Sequence, residues 1–390
     1  MSYPNLNTTS PYHVYVDINA INSDQINRAP VPLIFNEIRN SPILNNPSDY
    51  FLSVVRFSLE TPTLPLLLPQ VELGQGDADK LVYSFTMSYN FLGVNYEYKQ
   101  NLIFVAQDKQ QPTPNAPLVF QDLTSEYYYI YSFMHWMNIV NDALQSCYNG
   151  LNALVIAAGG SLPSTVAPFM EWDPYNNIAI LNADQLGYAR TLANPIKLYM
   201  NTSLYTLFSS FEATIEGFGA NITNGKNFQI MIYSINNTNI YTIGSINYLQ
   251  MYQEYSTTPL WCPVSSLVFT TGQIPVVPSN TSAPLIFNSL NQSGSGNNSN
   301  LTPQITDFEV PLERGSEYKP NVFYTPNSEY RMFDLVGNTP LSALQITVYW
   351  KDNYGGLHLF KLASGSTATI KLLFRRKAFN INTDRYLQYN

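Results

Sequence analysis

Two carboxylates flank a tryptophan at Glu171-Trp172-Asp173, a spacing that places both acids on the same face of a strand. Paired carboxylates beside an aromatic ring are typical of sites that cleave glycosidic bonds. Pro174 follows directly, and an Asp before a proline is more often part of a turn. The turn is the simpler interpretation, so we predict no sugar-cleaving pair here.

The histidines and cysteines are few and widely spaced. His13, His135 and His358 form no HExxH pattern, and none of them lies beside a cysteine. Cys147 and Cys262 have no CxxC spacing, so we expect two reduced cysteines in the core. The chain also lacks a GxSxG turn and a glycine-rich phosphate loop followed by lysine. We therefore predict no catalytic, cofactor-binding or metal-binding residue and no enzymatic activity.

Charge is unevenly distributed along the chain. The net charge of −8 disfavours a dedicated nucleic-acid-binding protein, because phosphate neutralisation requires an excess of Lys and Arg. Residues 343–390, however, contain seven basic and two acidic residues, a net charge of +5. Within them the run Arg375-Arg376-Lys377 ends a predicted strand. It is either a solvated strand end or a contact for an acidic partner or a packaged genome.

Alternating apolar residues predict strands at both ends of the chain. Only 12% of residues are charged and 14% are aromatic, a composition that suits half-buried pleated surfaces. Eight strands are predicted, at 12–19, 31–36, 50–61, 266–270, 305–310, 330–336, 344–350 and 367–374. Eight antiparallel strands in two sheets are typical of a jelly roll.

The middle of the chain has a different pattern. Apolar residues recur at helical spacing from Ile130 to Cys147 and predict a helix over 128–147, capped by Thr124 or Ser125. A hairpin and a second, short helix are also predicted, at 81–89 with 96–106 and at 202–211. This region is therefore predicted to be α+β.

Prolines mark the predicted domain boundary. Pro62, Pro65 and Pro69 interrupt an apolar run at a density that a sheet ladder does not tolerate. We predict a mainly β protein in which a single jelly-roll β-sandwich is formed by residues 1–65 and 262–390. A large α+β insertion domain would occupy 66–261. The segment 289–300, rich in Ser, Gly and Asn, is predicted to be an exposed loop.

Short motifs occur in a defined order along both chain ends. They are YFLSVVRFSL (50–59), LPL (64–66), SLVF (266–269), ITDF (305–308), SEYR (328–331), YWKDNYG (349–355) and IKLLF (370–374). Their order resembles that of penton (minor capsid) proteins of virophages and polinton-like viruses. In the middle of the chain only residues 200–208 share the resemblance.

The resemblance implies a viral capsid structural protein with a jelly-roll base and an outward-facing insertion domain. Homopentamers would occupy the fivefold vertices of an icosahedral virion, surrounded by trimers of a double jelly-roll major capsid protein. The insertion domain would be the surface for a host receptor, and the basic carboxy-terminal region would contact neighbouring capsid subunits or the genome. The family implies no catalytic residue and no cofactor.

Two alternatives stay open at this point. A trimeric double jelly-roll major capsid protein of similar length would require a second sandwich in the middle of the chain, which the predicted helix disfavours. A carbohydrate-binding module or adhesin would use the aromatic and Asn-rich loops of residues 66–261.

The amino terminus has no basic segment followed by an apolar one, and no apolar run is long enough to span a bilayer. We therefore expect synthesis and assembly in the host cytoplasm or a viral factory. Eight Asn-X-Ser/Thr sequons are then expected to be chance matches without glycans, at Asn7, Asn201, Asn221, Asn236, Asn280, Asn291, Asn297 and Asn300.

Overall fold

The computed structural model describes residues 11–24, 26–219, 221–233, 239–281, 300–310, 319–325 and 331–377. These residues divide into two compact units. The sandwich unit takes the described residues up to Leu64 and from Val264 onward, and the inserted unit takes Pro65–Pro263. Outside the described residues lie 289–299 of the predicted loop, the tail beyond Lys377, residues 328–330 of the SEYR motif, and the sequons at Asn7, Asn236, Asn291 and Asn297.

Strands precede and follow a mixed region of strands and helices along the chain. The amino-terminal strands are β1 (His13–Ile21), β2 (Val31–Pro32), β3 (Ile34–Ile38) and β4 (Tyr50–Glu60). The inserted unit contains β5 (Lys80–Phe91), β6 (Val94–Ile103), α1 (Phe133–Ala157), β7 (Phe169–Asp173), β8 (Ile178–Asp184), α2 (Gln185–Tyr188), β9 (Lys197–Met200), α3 (Thr202–Leu207), β10 (Ala213–Ile215), β11 (Phe228–Ile230), β12 (Ile240–Ile243) and β13 (Ile246–Tyr252). The remaining strands are β14 (Val264–Thr271), β15 (Ser279–Thr281), β16 (Asn300–Thr302), β17 (Gln304–Glu309), β18 (Asn321–Tyr324), β19 (Phe333–Asp334), β20 (Ala343–Asp352), β21 (Leu357–Leu359), β22 (Lys361–Leu362) and β23 (Thr367–Arg376).

The sandwich unit contains two five-stranded antiparallel sheets. The first has the order β1-β23-β4-β18, and β19 also pairs with β4. The second has the order β17-β14-β20-β21, and β3 also pairs with β20. In the core the Phe57 ring contacts those of Phe269, Phe308 and Tyr324, at centroid distances of 5.0, 4.7 and 5.5 Å. The prediction of a mainly β chain with a single jelly-roll fold is confirmed.

The first and last strands of the sandwich are direct neighbours. β1 pairs with β23 over nine residues, from His13 opposite Arg375 to Ile21 opposite Thr367, and β23 pairs with β4 on its other side. The alternation that predicted β1 separates buried residues such as Val16 from exposed ones. Strands from both chain ends are therefore needed to complete one sheet.

The inserted unit combines one long helix with two antiparallel sheets. Their orders are β10-β11-β9-β5-β6 and β12-β13-β8-β7. The apolar stripe of α1 packs on β5, β6 and β7, and its Trp136, Val140 and Leu144 are completely buried. None of the helices within the described residues has the length and hydropathy that crossing a bilayer requires.

The long helix differs from its prediction at both ends. It begins at Phe133 because Ile130 is extended: the Ile130 carbonyl accepts from the Leu66 amide (2.6 Å), and its amide donates to the Leu67 carbonyl (3.1 Å). Ser132, not Thr124 or Ser125, precedes the first turn. The helix continues ten residues beyond the predicted end because further apolar residues extend its buried stripe to 155. The second helix, α3, ends at 207 and is shorter than predicted.

Two strands also differ from their predicted bounds. The strand predicted at 31–36 is divided between β2 and β3, with Leu33 between them. The strand predicted at 330–336 is reduced to the two residues of β19 within the described part of that segment.

Candidate assembly surface

One edge of the second sheet is formed by two short strands that pair with the same side of β20. β3 pairs with residues 343–347 of β20, and β21 pairs with residues 349–351. Between them the Leu33 amide donates to the Phe360 carbonyl (2.8 Å), and the Phe360 amide donates to the Val348 carbonyl (3.0 Å). The two strands therefore form one continuous sheet edge.

Alternation along this edge directs four aliphatic side chains outward. Ile34 and Ile38 of β3 are 43% and 73% exposed, and Leu357 and Leu359 of β21 are 40% and 43% exposed. The intervening Phe35 is buried in the core. We call the four exposed residues the apolar edge stripe. Apolar side chains on an open sheet edge form a surface suited to association with another protein.

A buried hydrogen bond between two side chains stabilises the hairpin that carries half of the stripe. His358 Nε2 lies 2.7 Å from Asp352 Oδ2, and the two side chains are 7% and 4% exposed. The His358 ring stacks on Trp350 at a centroid distance of 4.0 Å. Asp352 also accepts hydrogen bonds from the Tyr354 and Gly356 amides, both at 2.8 Å. These contacts hold β21 against β20 and position its outward leucines.

The hydrogen bonds keep the Asp352 carboxyl ionised despite its burial. Burial raises the pKa of Asp352, but hydrogen bonds from His358 and from the Gly356 and Tyr354 amides outweigh that effect and hold the pKa below its usual 3.8. The sequence shows no metal-binding pattern around His358, and nothing in the sequence analysis connected it with Asp352. The spacing of the two residues could have indicated the contact. They lie six positions apart across a Gly-Gly turn, and in a hairpin this spacing makes them diagonal neighbours on one face.

The basic run at the end of β23 is partly engaged within the chain. Lys377 Nζ lies 2.8 Å from Asp334 Oδ1 and 5.1 Å from the centre of the Phe51 ring. The Arg375 side chain is exposed, and Arg376 is partly exposed. Lys377 therefore links β23 to β4 and β19, whereas Arg375 leaves positive charge at the surface.

The carboxylates beside Trp172 are placed by the edge strand β7. Glu171 accepts a hydrogen bond from Asn182 Nδ2 (3.0 Å), and Asp173 accepts from the amides of the turn that follows. Trp172 projects from the opposite face of the strand and stacks on Phe133 at a centroid distance of 4.4 Å. Both acids and Trp172 line one open cavity of about 560 Å³. There Asn182 engages the Glu171 carboxylate, and the turn after β7 engages that of Asp173.

The histidines and cysteines highlighted by the sequence are dispersed. His13 packs against a neighbouring tyrosine on the surface, and His135 Nε2 lies 2.7 Å from the Val105 carbonyl oxygen. Cys147 and Cys262 are buried and form no disulfide, and burial raises the pKa of Cys147 to about 12. Within the described ranges no three His, Cys, Asp or Glu side chains are grouped as a metal site requires.

Known proteins share both sequence and fold with this chain. The structural protein V19 of Sputnik virophage is 29% identical over 203 residues, which cover 50% of this chain and 87% of V19. The uncharacterized protein V18 of the same virophage is 35% identical over 132 residues, covering 32% of this chain and 75% of V18.

Two solved structures match nearly the whole chain. A chain in the 3.5 Å cryo-EM structure of the Sputnik virophage superposes with a TM-score of 0.80 and is 29% identical, covering 94% of this chain and 99% of that one. The crystal structure of the mavirus penton protein superposes with a TM-score of 0.60 at 14% identity and covers 94% of this chain and 100% of the penton chain. The two proteins therefore share the fold. The family model of the Sputnik minor capsid protein V18/19 matches residues 14–376. This agrees with the resemblance in the motifs of both chain ends, and the chain belongs to the family of the Sputnik minor capsid protein V18/19.

Proposed function

We propose that this chain forms homopentameric pentons at the fivefold vertices of an icosahedral virion, with a structural and non-catalytic role. The observation that carries the proposal is the apolar edge stripe on the jelly-roll sandwich. The fold shared with the mavirus penton protein supports it. The inserted unit disfavours the double jelly-roll alternative, because its described part contains a 25-residue helix packed on sheets.

The stripe supplies one half of a ring contact. Five identical subunits close a ring when two different surfaces of each subunit are complementary, so that the first surface of one copy meets the second surface of the next. The four aliphatic side chains are 40–73% exposed, so covering what remains open of each contributes about 0.6–2 kcal/mol before the cost of association. This is enough to make the stripe a major part of the contact.

The two units have different roles in the proposed vertex. Residues 1–65 and 262–390 form its base, next to trimers of the major capsid protein, and residues 66–261 face outward, where they meet a host receptor. The basic carboxy-terminal region faces the particle interior or a neighbouring subunit. Assembly takes place in the host cytoplasm or a viral factory.

The test combines the mass of the purified species with its position in particles. We expect native mass spectrometry to detect pentamers and cryo-EM to place the chain at fivefold vertices. Ile38→Lys introduces a charge into the stripe and should abolish pentamers without unfolding the chain. Ile156→Lys, at an exposed position of α1 (58%), is the matched control and should leave them intact. Trimers, or density away from the vertices, would contradict the proposal.

A second experiment addresses the carboxy-terminal tail. Truncation after Lys377 removes residues 378–390, and we expect the truncated chain to enter particles less efficiently than the full chain. Normal incorporation would show that the tail is dispensable for assembly.

A further inference from the structure

The open cavity that contains Trp172 lies where the edge strand β7 meets the helix α1. Its volume of about 560 Å³ is in the range of small-molecule clefts. The α1 residues that line it lie on one face of the helix, and they are Met134, Met137, Asn138 and Asn141. Met134 is 57% exposed and Asn138 is also exposed. The cavity is therefore open to a ligand from solvent.

One edge of β7 faces α1 and is not paired with another strand. β7 is the last strand of its sheet and pairs only with β8. On its other side Asn141 Nδ2 donates to the Met170 carbonyl (2.9 Å), and Asn141 Oδ1 accepts from the Met170 amide (2.6 Å). A side-chain amide thus supplies the two hydrogen bonds that a neighbouring strand would make at this position.

Trp172 contributes the next outward-directed backbone groups along this edge. In an antiparallel strand every second residue directs its N–H and C=O to the same side, so Trp172 follows Met170. Ala179, opposite Trp172 in the ladder, exchanges its own backbone hydrogen bonds with Gln253. Within the described residues the Trp172 N–H and C=O therefore have no hydrogen-bonding partner, and they lie at the edge that borders the cavity.

Trp172 also supplies an aromatic wall. Its ring stacks on Phe133 at a centroid distance of 4.4 Å and lies 5.5 Å from the ring of Trp261. Neither of those two rings lines the cavity, so they support Trp172 from behind. An aromatic ring fixed in this way offers a rigid apolar surface that loses little conformational entropy on binding.

Polar groups of both kinds surround the ring. The Asn138 side chain makes no hydrogen bond within the described part of the chain, so its amide offers both a donor and an acceptor. Glu171 accepts from Asn182 with Oε2, which leaves Oε1 as an acceptor. A hydroxyl group both donates and accepts hydrogen bonds. The mixture of donors and acceptors beside an aromatic ring therefore suits a polyhydroxylated ligand.

The charge of the lining narrows the ligand class further. Two carboxylates and no Lys, Arg or His are among the described residues that line the cavity, so an anionic ligand is disfavoured. A basic extended peptide would satisfy the charge but needs a row of unpaired backbone groups. Asn141 already occupies Met170, and Pro174 directly follows the last residue of β7. A neutral saccharide fits these groups better than a peptide.

We propose that the cavity between α1 and β7 binds a neutral saccharide. The Trp172 ring packs on the apolar face of a sugar ring, and Asn138, Glu171 and the Trp172 backbone form hydrogen bonds with its hydroxyls. The inference rests on the proposed function, in which residues 66–261 meet a host receptor, and it names a neutral glycan as the receptor's chemistry. The site binds the sugar without cleaving it.

A glycan array tests the ligand class with the full-length chain. The array carries neutral oligosaccharides together with their sialylated and sulfated counterparts. We expect binding to at least one neutral oligosaccharide, and at least tenfold weaker binding to its sialylated counterpart. Absence of binding to every neutral oligosaccharide, or a preference for the anionic ones, would overturn the proposal.

Substitutions in α1 and β7 then test the site by calorimetric titration with the neutral oligosaccharide that binds most tightly. Asn138→Ala should weaken binding at least tenfold, and Glu171→Gln at least threefold. Asn149→Ala removes another exposed amide of α1 that does not line the cavity, so it is the matched control and should leave the affinity unchanged. Thermal melting checks that the variants fold. Equal affinities of wild type and Asn138→Ala would overturn the assignment of the site.

Two further measurements separate this proposal from its competitors. If an oligolysine peptide binds the chain, Glu171→Gln abolishes that binding and no neutral oligosaccharide binds, the cavity is a peptide site and the proposal is wrong. Native mass spectrometry of the same samples reports the oligomeric state. Pentamers without saccharide binding refute the saccharide site alone, whereas saccharide binding by a chain that forms no pentamers refutes the homopentamer alone.

Discussion

His358 and Asp352 form a buried hydrogen-bonded pair that connects the two strands of the β20–β21 hairpin, with Nε2 and Oδ2 2.7 Å apart. The pair lies behind the outward leucines of the apolar edge stripe. Its stability is therefore expected to determine the geometry of that part of the proposed ring contact.

Removing the histidine should destabilise the sandwich unit strongly. His358→Ala leaves the buried Asp352 carboxylate without its hydrogen bond to Nε2, and loss of a hydrogen bond to a charged group costs about 1.5–3 kcal/mol. Urea unfolding at neutral pH measures the change. His13→Ala, at an exposed histidine, is the control and should change the unfolding free energy by less than about 0.5 kcal/mol. Equal effects of the two substitutions would contradict the structural role of the pair.

The contribution of Asp352 should depend on pH in the acid range. Its pKa is lower in the folded state than its usual 3.8, so the folded state binds the proton less tightly than the unfolded chain. The resulting stability is present above pH 3.8 and is lost as the pH falls through the folded-state pKa. The difference in unfolding free energy between wild type and Asp352→Asn, measured from pH 5 downward, should therefore shrink as the pH falls below about 3.8. A difference that does not change with pH would contradict this prediction.

Gly150→Ala should destabilise the folded chain, although alanine in a helix is normally more favourable than glycine. Gly→Ala within a helix normally stabilises by about 1 kcal/mol. Here the new Cβ would overlap the Tyr98 ring of β6, so overpacking should produce a net loss of about 1–2 kcal/mol in the free energy of unfolding. In a Tyr98→Ala background the same change should become stabilising. Thermal melting of wild type, Gly150→Ala, Tyr98→Ala and the double variant measures the effect of the added methyl group with and without the ring. Stabilisation by Gly150→Ala in the wild-type background would show that the Tyr98 ring moves away without cost.

The thiol of Cys147 should resist alkylation in the folded chain. Its side chain is completely buried and its pKa is raised to about 12, so the reactive thiolate is scarce at pH 8. We expect iodoacetamide to label Cys147 at least a hundredfold more slowly in the native protein than in urea, as followed by peptide mass spectrometry. Similar rates in both conditions would show that α1 opens readily.

The alternation of apolar and polar residues within the strands made much of the sandwich predictable. β20 has buried and half-exposed residues in strict alternation from Ala343 to Asp352, as its apolar pattern indicated. The apolar edge stripe was not predicted, because a period of two separates the faces of a strand without identifying which face is covered. Ile34 and Phe35 look alike in sequence, yet only Phe35 enters the core.

The apolar spacing predicted the start of α1 wrongly, because hydrogen bonds to residues distant in sequence set the backbone conformation there. Ile130 continues the apolar spacing of α1, but its hydrogen bonds to Leu66 and Leu67 keep it extended and delay the start of the helix. Such pairings join residues more than sixty positions apart, and periodicity carries no information about them. The hydrogen bond between Asp352 and His358 was not predicted for a related reason: diagonal neighbours can be identified only after the hairpin itself has been recognised.

The pairing of β4 with β23 has a consequence for the order of events during synthesis. Glu60, at the end of β4, and its hydrogen-bonding partner Thr367 are 307 positions apart. At about 5–20 residues per second, the ribosome needs roughly 15 to 60 s to make the intervening chain. The inserted unit, one continuous stretch, is therefore fully translated while β4 still waits for its partner, with apolar side chains such as Leu52 and Leu59 uncovered. A nascent chain stalled before residue 367 should for this reason be a strong substrate for chaperones, and release of its final strand should be the step that completes the sandwich.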